Sequence, residues 1–273
     1  MTESYVSIGR YYADAFSAQD PVAVAVIIPS ILRPTLGRAV QSVYEQDLDK
    51  RIQIVIGIDV AEGNLDDFEP VFAARPPNIS ILVMALPYST SARHGGVHFA
   101  TDCGALRTIL SYVANAQHVA YLDDDNTWLP FHLRHLFGAI QGKVWASGQR
   151  ILVDEDTDQH LGVDIWDSVG PNRGRFKKIG GFIDTNCLMV DKHRVGPFLG
   201  NWSIPLDNKP GLTGDRHFFK ALSGGSYNMV MVPTVLYRIR RTNIMWEFVR
   251  GNIWVDEQGV THKKPKLADE SAN

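Results

Sequence analysis

The sequence predicts an α/β fold with a mostly parallel central sheet covered by helices on both faces. Apolar runs of five to eight residues recur through the first half of the chain, too continuously apolar for half-exposed strands. Segments with apolar residues at helical spacing stand among them. Apolar strands alternating with amphipathic helices build a parallel sheet with two covered faces.

The first 20 residues are polar and aromatic, and Pro21 opens the first buried strand, Val22 to Ile28, which Pro29 is expected to end. Thr35 is placed to cap a helix in which Leu36, Ala39, Val40 and Val43 form one stripe. Ile52 to Ile58 and Ile79 to Leu86 read as two more buried strands. Leu106, Ile109, Leu110 and Val113 mark a second helix, and His118 to Leu122 a short strand. A third helix opens with Pro130 in its first turn and carries Leu133, Leu136, Phe137 and Ile140 on one face.

The second half is less regular, with strand-like runs at Val144 to Val153, Phe182 to Val190 and Tyr227 to Val232. Two stretches lie between them, Val169 to Gly181 and Gly200 to Gly214. Loops of this length usually bind something, and their glycines predict little intrinsic order without ligand. The polar tail from His262 is expected to be disordered. The regular half reads as a cofactor-binding half, and the irregular half as what selects a second substrate.

At 273 residues the chain suits one embellished domain, burying roughly three quarters of its unfolded surface. Its 45% hydrophobic and 21% charged residues are ordinary for a globular protein. The net charge of −3 and pI near 6.3 exclude a nucleic-acid protein working through a basic face, which would want a pI above ~9. Cys103 and Cys187 cannot make a disulfide framework and fit a reducing compartment. No apolar run reaches the ~18 residues of a membrane helix. The first residues lack the basic start and apolar stretch of a signal peptide, so a cytoplasmic protein is expected.

In open parallel sheets ligands sit at the carboxyl ends of the strands. That points to Pro29 to Pro34, to Asp59, and to Asp123, Asp124 and Asp125. Three consecutive carboxylates repel one another and need a cation, hydrogen bonds or solvent. In extended chain Asp123 and Asp125 share a side while Asp124 points elsewhere. Two hard oxygen donors fit Mn²⁺ or Mg²⁺, which keep positions open for phosphate oxygens. The competing reading is that the acids cap the helix at Pro130, or that Asp59 caps its following turn. His132 and His135, like His94 and His98, stand at spacings that can hold zinc, but no third ligand falls nearby and surface histidines are expected. Both cysteines read as small buried fillers. Lys177 and Lys178 read as a solvated loop, and the Ile244, Met245, Phe248, Val249 stripe as core or a homodimer contact.

The order of these segments resembles the family 2 glycosyltransferases. VAVIIPSILRPTLGRAVQSVYEQ resembles that family's opening strand, Arg-Pro loop and helix ending Ser-Val-x-x-Gln. IQIVIGID looks like its second strand, GALRT its Gly-Ala-x-Arg-Asn segment, and YLDDDNTWLPFHL its metal-binding Asp-x-Asp. GDRHFFKAL stands where the family carries Glu-Asp, and PTVLYRIR resembles its closing Tyr-Arg segment. The likeness runs from about Val22 to Arg241. Leu32 stands where the family often has Asn, Asp59 stands alone where it has paired acids, and Gly214 replaces the Glu of Glu-Asp. The Gln-x-x-Arg-Trp motif of processive synthases is missing, which favours transfer of a single sugar.

The resemblance implies a glycosyltransferase A-type fold with a Rossmann-like N-terminal half, working as an inverting, metal-dependent enzyme. Its donor would be a nucleotide-diphosphate sugar, UDP preferred, and its acceptor a hydroxyl of unknown identity. Residues 22–126 would form the donor half, 127–241 the acceptor and catalytic half, and 242–273 a partly disordered extension. Pro29, Ser30, Arg33, Asp59, Gly104, Arg107, Asp123 and Asp124 would contact the donor. Asp125 with Asp123 would hold the metal, and Asp215 would be the catalytic base. Two rivals stand beside this reading. Asp123 to Thr127 also satisfies the Asp-x-Asp-x-Thr of haloacid-dehalogenase-like phosphatases, with Asp123 as nucleophile, although some hundred residues of βαβ pattern precede it. The other is a non-catalytic nucleotide-sugar-binding module.

Overall fold

The computed structural model describes residues 9–14, 17–99, 103–204 and 214–264. Its N-terminal half runs β1 (Gly9–Tyr12), β2 (Val22–Ser30), α1 (Leu36–Tyr44), β3 (Ile52–Ile58), α2 (Glu69–Ala73), β4 (Ile79–Ala85), α3 (Gly104–Val113) and β5 (Ala116–Tyr121). Then follow β6 (Thr127–Trp128), α4 (His132–Ala139), β7 (Trp145–Asp154), β8 (His160–Val163), β9 (Gly170–Pro171) and β10 (Gly181–Phe182). The chain continues with β11 (Leu188–Asp191), α5 (Lys192–Val195), α6 (Gly214–Leu222), β12 (Tyr227–Ile239), α7 (Met245–Val249), β13 (Ile253–Val255) and β14 (Thr261–Lys263).

One sheet has the order β1-β4-β3-β2-β5-β11-β7-β12-β6, with β8 on β7. Strands β4, β3, β2 and β5 are mutually parallel. β11 lies antiparallel between β5 and β7, which returns β7 and its parallel neighbour β12 to the same direction. The sheet is therefore mostly parallel, as the alternation of apolar strands and helices predicts. Strand order reverses between β2 and β5, the switch point at which such sheets open a crevice. β3 is buried along its whole length and β2 at every residue but Ala23, and one core cluster joins Val22 to Val235 across the sheet.

Several boundaries differ from expectation for identifiable reasons. Pro29 does not end β2: the ladder to β5 stops at Ile27, so the missing N–H of Pro29 disturbs no bond on that side while pairing to β3 continues to Ser30. Thr35 is no cap, since its backbone is already helical and its buried hydroxyl has no hydrogen-bond partner. α4 begins two residues after Pro130, whose carbonyl accepts from Asp47 N at 2.7 Å. Phe182 to Val190 is not one strand, because Asp184 accepts from Asn186 N and turns the chain between β10 and β11. β12 continues past Val232, with Pro233 absorbed where the register to β7 shifts.

The stretch 169–181 has more regular structure than its composition predicts. Its ends pair as β9 and β10, and a 3₁₀ turn spans Gly174–Ile179. Lys177 Nζ donates to the Glu257 carbonyl at 2.7 Å, so it is not merely solvated. The other long loop is described only to Ser203 and Ile204, and residues 205–213 and 265–273 lie outside the described residues. The Met245 and Phe248 stripe is core, packed with Leu152, Trp246, Ile239 and Ile253, whereas Ile244 is exposed.

His132 is no surface histidine. It is fully buried, its ring stacks on Trp128 with centroids 4.3 Å apart, and its Nδ1 is 2.6 Å from Thr234 Oγ1. Burial pushes it down to about 3, so it is neutral. Cys187 is a buried filler, but Cys103 is half-buried and lines the main cleft. Among the described residues no helix is long and apolar enough to cross a membrane.

Candidate functional site

The site is a cleft of about 600 Å³ at the carboxyl ends of β2, β3 and β5, closed on one side by the end of β12. Continuous apolar strands bring their polar terminal residues to one edge of the sheet, and helices covering the faces leave that edge open. Leu32, in the loop leaving β2, is buried with a left-handed φ of 64°. For a non-glycine residue this costs of order 1–3 kcal/mol, and Asn, common here in the resembled family, tolerates it better than Leu. Leu32 N donates to Ser30 Oγ at 2.9 Å, and Glu62 N to the Ile31 carbonyl at 2.7 Å, which binds this loop to the one after β3.

The three aspartates leave β5 and each meets an arginine. Asp124 is 4% exposed and accepts from Ser30 Oγ at 2.6 Å and from Arg33 Nη1 at 3.3 Å. Arg33 Nη1 also donates to Asp125 Oδ2 at 3.0 Å, and Arg240 Nη2 lies 3.8 Å from the same oxygen. Asp123 pairs with Arg107, a nearly buried guanidinium that also lies over the Trp202 ring at 5.6 Å. Arg107 reaches this place because Cys103, at a left-handed φ of 55°, turns the chain into α3. Burial, with Asp123 and Asp124 as like-charged neighbours, raises Asp125 to about 6 despite Arg33 and Arg240. Asp124 is raised as well, by burial first.

The contacts leave the capping readings without a bond to rest on. The aspartates do not cap α4, whose first turn has no side-chain cap. Asp59 does not cap the turn after it, because Asn64 does. Pro29, Ser30, Arg33, Asp59, Arg107, Asp123, Asp124 and Asp125 all line the cleft. Gly104 and Asp215 do not. Gly104 is buried at the start of α3, one residue beyond Cys103. Asp215 is half-buried in the first turn of α6, where its Oδ1 accepts from Arg216 N at 2.7 Å. It lies within electrostatic reach of Arg107 and Asp184, and burial pushes it up to about 6. A Cβ on Gly214 would collide with the Trp202 carbonyl, so the Glu that the resembled family carries there has no room.

Sequence reasoning missed Arg93, His94, Tyr237, Arg238 and Arg240 as cleft residues. Arg238 lies near the end of β12 and Arg240 just beyond it, within the PTVLYRIR segment that the resemblance singles out without giving either arginine a role. Arg93 and His94 lie on a short turn in a segment without any period, where only the spacing of His94 to His98 stands out. Among the described residues no three His, Cys, Asp or Glu side chains form a closed cage for a metal.

No protein-family profile matches this sequence, and no curated protein matches it. Its fold, however, is similar to solved structures. Staphylococcus aureus TarS 1-349 superposes with a TM-score of 0.58 at 12% identity, over 79% of this chain and 60% of that one. The same protein in complex with UDP-GlcNAc gives 0.58 at 13% identity, over 82% and 60%. Its complex with UDP gives 0.57 at 12%, over 80% and 60%. The chain thus spans about three fifths of the length of these proteins. Likeness at this identity is one of architecture: the protein has a glycosyltransferase A-type fold.

Proposed function

We propose that the protein is a metal-dependent, inverting glycosyltransferase that moves one sugar from a nucleotide-diphosphate sugar to a hydroxyl acceptor. The observation that carries this is the run Asp123 to Asp125 at the switch point of the sheet, interleaved with Arg33, Arg107 and Arg240 in one open cleft. Acids beside guanidiniums suit a ligand that is both anionic and cation-bound, as a nucleotide diphosphate is. The TarS complexes with UDP and UDP-GlcNAc on the same architecture support UDP as the nucleotide.

The residues fit a divalent cation. Asp123 and Asp125 are each 29% exposed in the cleft, and burial with two like-charged neighbours raises Asp125. Two carboxylates without a closed cage suit Mn²⁺ or Mg²⁺, which complete their shells with water and phosphate oxygens. Bound there, the ion would neutralise the departing diphosphate. Arg33, Arg107 and Arg240 would bind phosphate oxygens through their planar forks. Asp59 would accept from the imino N–H of the base. Asp124, committed to Ser30 and Arg33, would shape the donor site from behind rather than ligate.

Asp215 lies outside the cleft lining but within electrostatic reach of Arg107, which lines it, and on this reading would take the proton of the attacking acceptor hydroxyl. Held at about 6, it is ionised at neutral pH yet more basic than an ordinary carboxylate, which suits a general base. The halves 22–126 and 127–241 would then supply donor and acceptor sides of one cleft. The phosphatase reading wants its acidic motif behind the first strand of the core, whereas Asp123 follows β5, after the parallel strands β2, β3 and β4. Screening UDP- and GDP-sugars with Mn²⁺ for slow donor hydrolysis tests the proposal. Release of a nucleoside diphosphate from at least one donor is expected; release only of phosphate from a generic phosphomonoester contradicts it.

A further inference from the structure

We infer that Asn186 is a positioning residue that holds Asp123 in the orientation needed to serve a divalent ion beside Asp125. The inference rests on the transferase reading above. Asn186 lies in the turn between β10 and β11, far from any motif, and is 0% exposed. Its Oδ1 accepts from Asp123 N at 2.7 Å, and its Nδ2 donates to Asp123 Oδ2 at 2.8 Å. One carboxamide thus grips both the backbone and the carboxylate of a single residue. Only this orientation of the amide matches donor to acceptor at both contacts, so the assignment of oxygen and nitrogen follows from the neighbours.

Asn186 is itself held from behind. The same Nδ2 donates to Asp184 Oδ1 at 2.8 Å, and Asn186 N donates to that oxygen at 3.0 Å. Its carbonyl accepts from Trp128 Nε1 at 2.9 Å. Asp184 Oδ2 in turn accepts from Arg150 Nη1 at 2.6 Å, and Arg150 is buried, bonded also to Asp164 at 2.8 Å and stacked 4.0 Å from the Tyr237 ring. A rigid chain of polar contacts therefore runs from the interior to the cleft. A position that only fills space could be apolar at no cost, whereas a buried carboxamide is tolerable only when its groups are bonded, as here.

The need for a grip is visible on the other side of Asp123. Arg107 takes Oδ1, and a guanidinium prefers a carboxylate in bidentate geometry. Without Asn186, the carboxylate is free to turn both oxygens to Arg107 and away from the cation. Asn186 keeps Oδ2 from that pairing and fixes the direction of Oδ1. Outer contacts of this kind typically change metal affinity by about 10- to 100-fold.

The test uses Asn186→Leu, which removes both contacts without adding charge, and Asn186→Ser as a milder second variant. Free Mn²⁺ is measured by its paramagnetic resonance in the presence of UDP, and UDP affinity is measured separately with chelator. The expected result is about tenfold weaker Mn²⁺ binding in the UDP complex, with chelated UDP affinity within about twofold of the parent. Mn²⁺ binding unchanged in a folded variant, or an equal loss with and without metal, overturns the inference. If Asn186→Leu does not fold, Asn186→Ser decides alone. Absence of Mn²⁺–UDP binding in the unaltered protein is a separate result, which sinks the transferase reading itself.

Discussion

The hydroxyl of Ser30 donates to Asp124 Oδ2 across 2.6 Å, joining the ends of β2 and β5 at the point where strand order reverses. Both groups are buried, and Ser30 Oγ also accepts from Leu32 N, so one oxygen secures the strained loop and the middle aspartate together. The bond explains why the second acid of the run faces away from its neighbours' task.

Ser30→Ala should therefore cost stability and donor binding at once. Leaving a buried carboxylate short of one donor destabilises by about 1–3 kcal/mol. Urea unfolding checks the first effect and UDP titration the second. A variant as stable as the parent would show that Arg33 alone satisfies Asp124.

Asp215 makes a prediction about pH. Its folded value, near 6, lies above the ordinary value of 3.8. The native state thus holds this proton longer than the unfolded chain, so its contribution to stability is fullest below about 4 and is lost as pH rises to about 6. Asp215→Asn should remove that decline, leaving stability at pH 7 equal or higher, while turnover falls about 10²-fold or more. The rise of kcat with pH through about 6 should vanish with it. Calorimetry across pH, beside the rate profile, separates this from a helix-terminus role, which would lower stability by about 1 kcal/mol with activity kept.

Gly214→Glu restores the acid of the resembled family but should not restore its function. A Cβ at this position meets the Trp202 carbonyl, and Trp202 packs on Phe218 and Tyr121. The chain must shift at the start of α6, at a cost of about 1–3 kcal/mol, carrying Asp215 with it. Thermal unfolding that matches the parent would contradict this.

Arg240 and Arg107 should differ in kind. Arg240 is 57% exposed, and its pairs with Asp125 and Glu155 are worth about 0–1 kcal/mol. Arg240→Ala should weaken UDP binding severalfold and leave the melting temperature nearly unchanged. Arg107→Ala removes a nearly buried partner of Asp123 and should lose about 3 kcal/mol of stability besides. Calorimetry and UDP titration of both variants check the contrast.

Much of the fold was legible because its central strands are apolar on both faces, a pattern few other structures need. The aspartate run was legible because it stands directly behind such a strand. The rest depends on contacts between distant segments. His132 has the same letter whether exposed or stacked on Trp128 and bonded to Thr234, and only the fold supplies those partners. Asn186 hides within a stretch otherwise readable as one apolar strand, and its meaning comes from Asp123, 63 positions away. Arg240 lies just beyond β12, a strand that Pro233 is expected by sequence to break, yet a register shift carries the strand through.

The central claim is that Asp125 anchors a cation which binds together with a nucleotide diphosphate. Thermal stabilisation by UDP tests it most directly, measured with Mn²⁺ and with chelator, on the parent and on Asp125→Ala. At about 100 times the dissociation constant, UDP with Mn²⁺ should stabilise the parent by about 2.7 kcal/mol. The metal-dependent part of that gain should disappear in Asp125→Ala. An equal UDP shift with chelator and with Mn²⁺ in the parent would contradict the account.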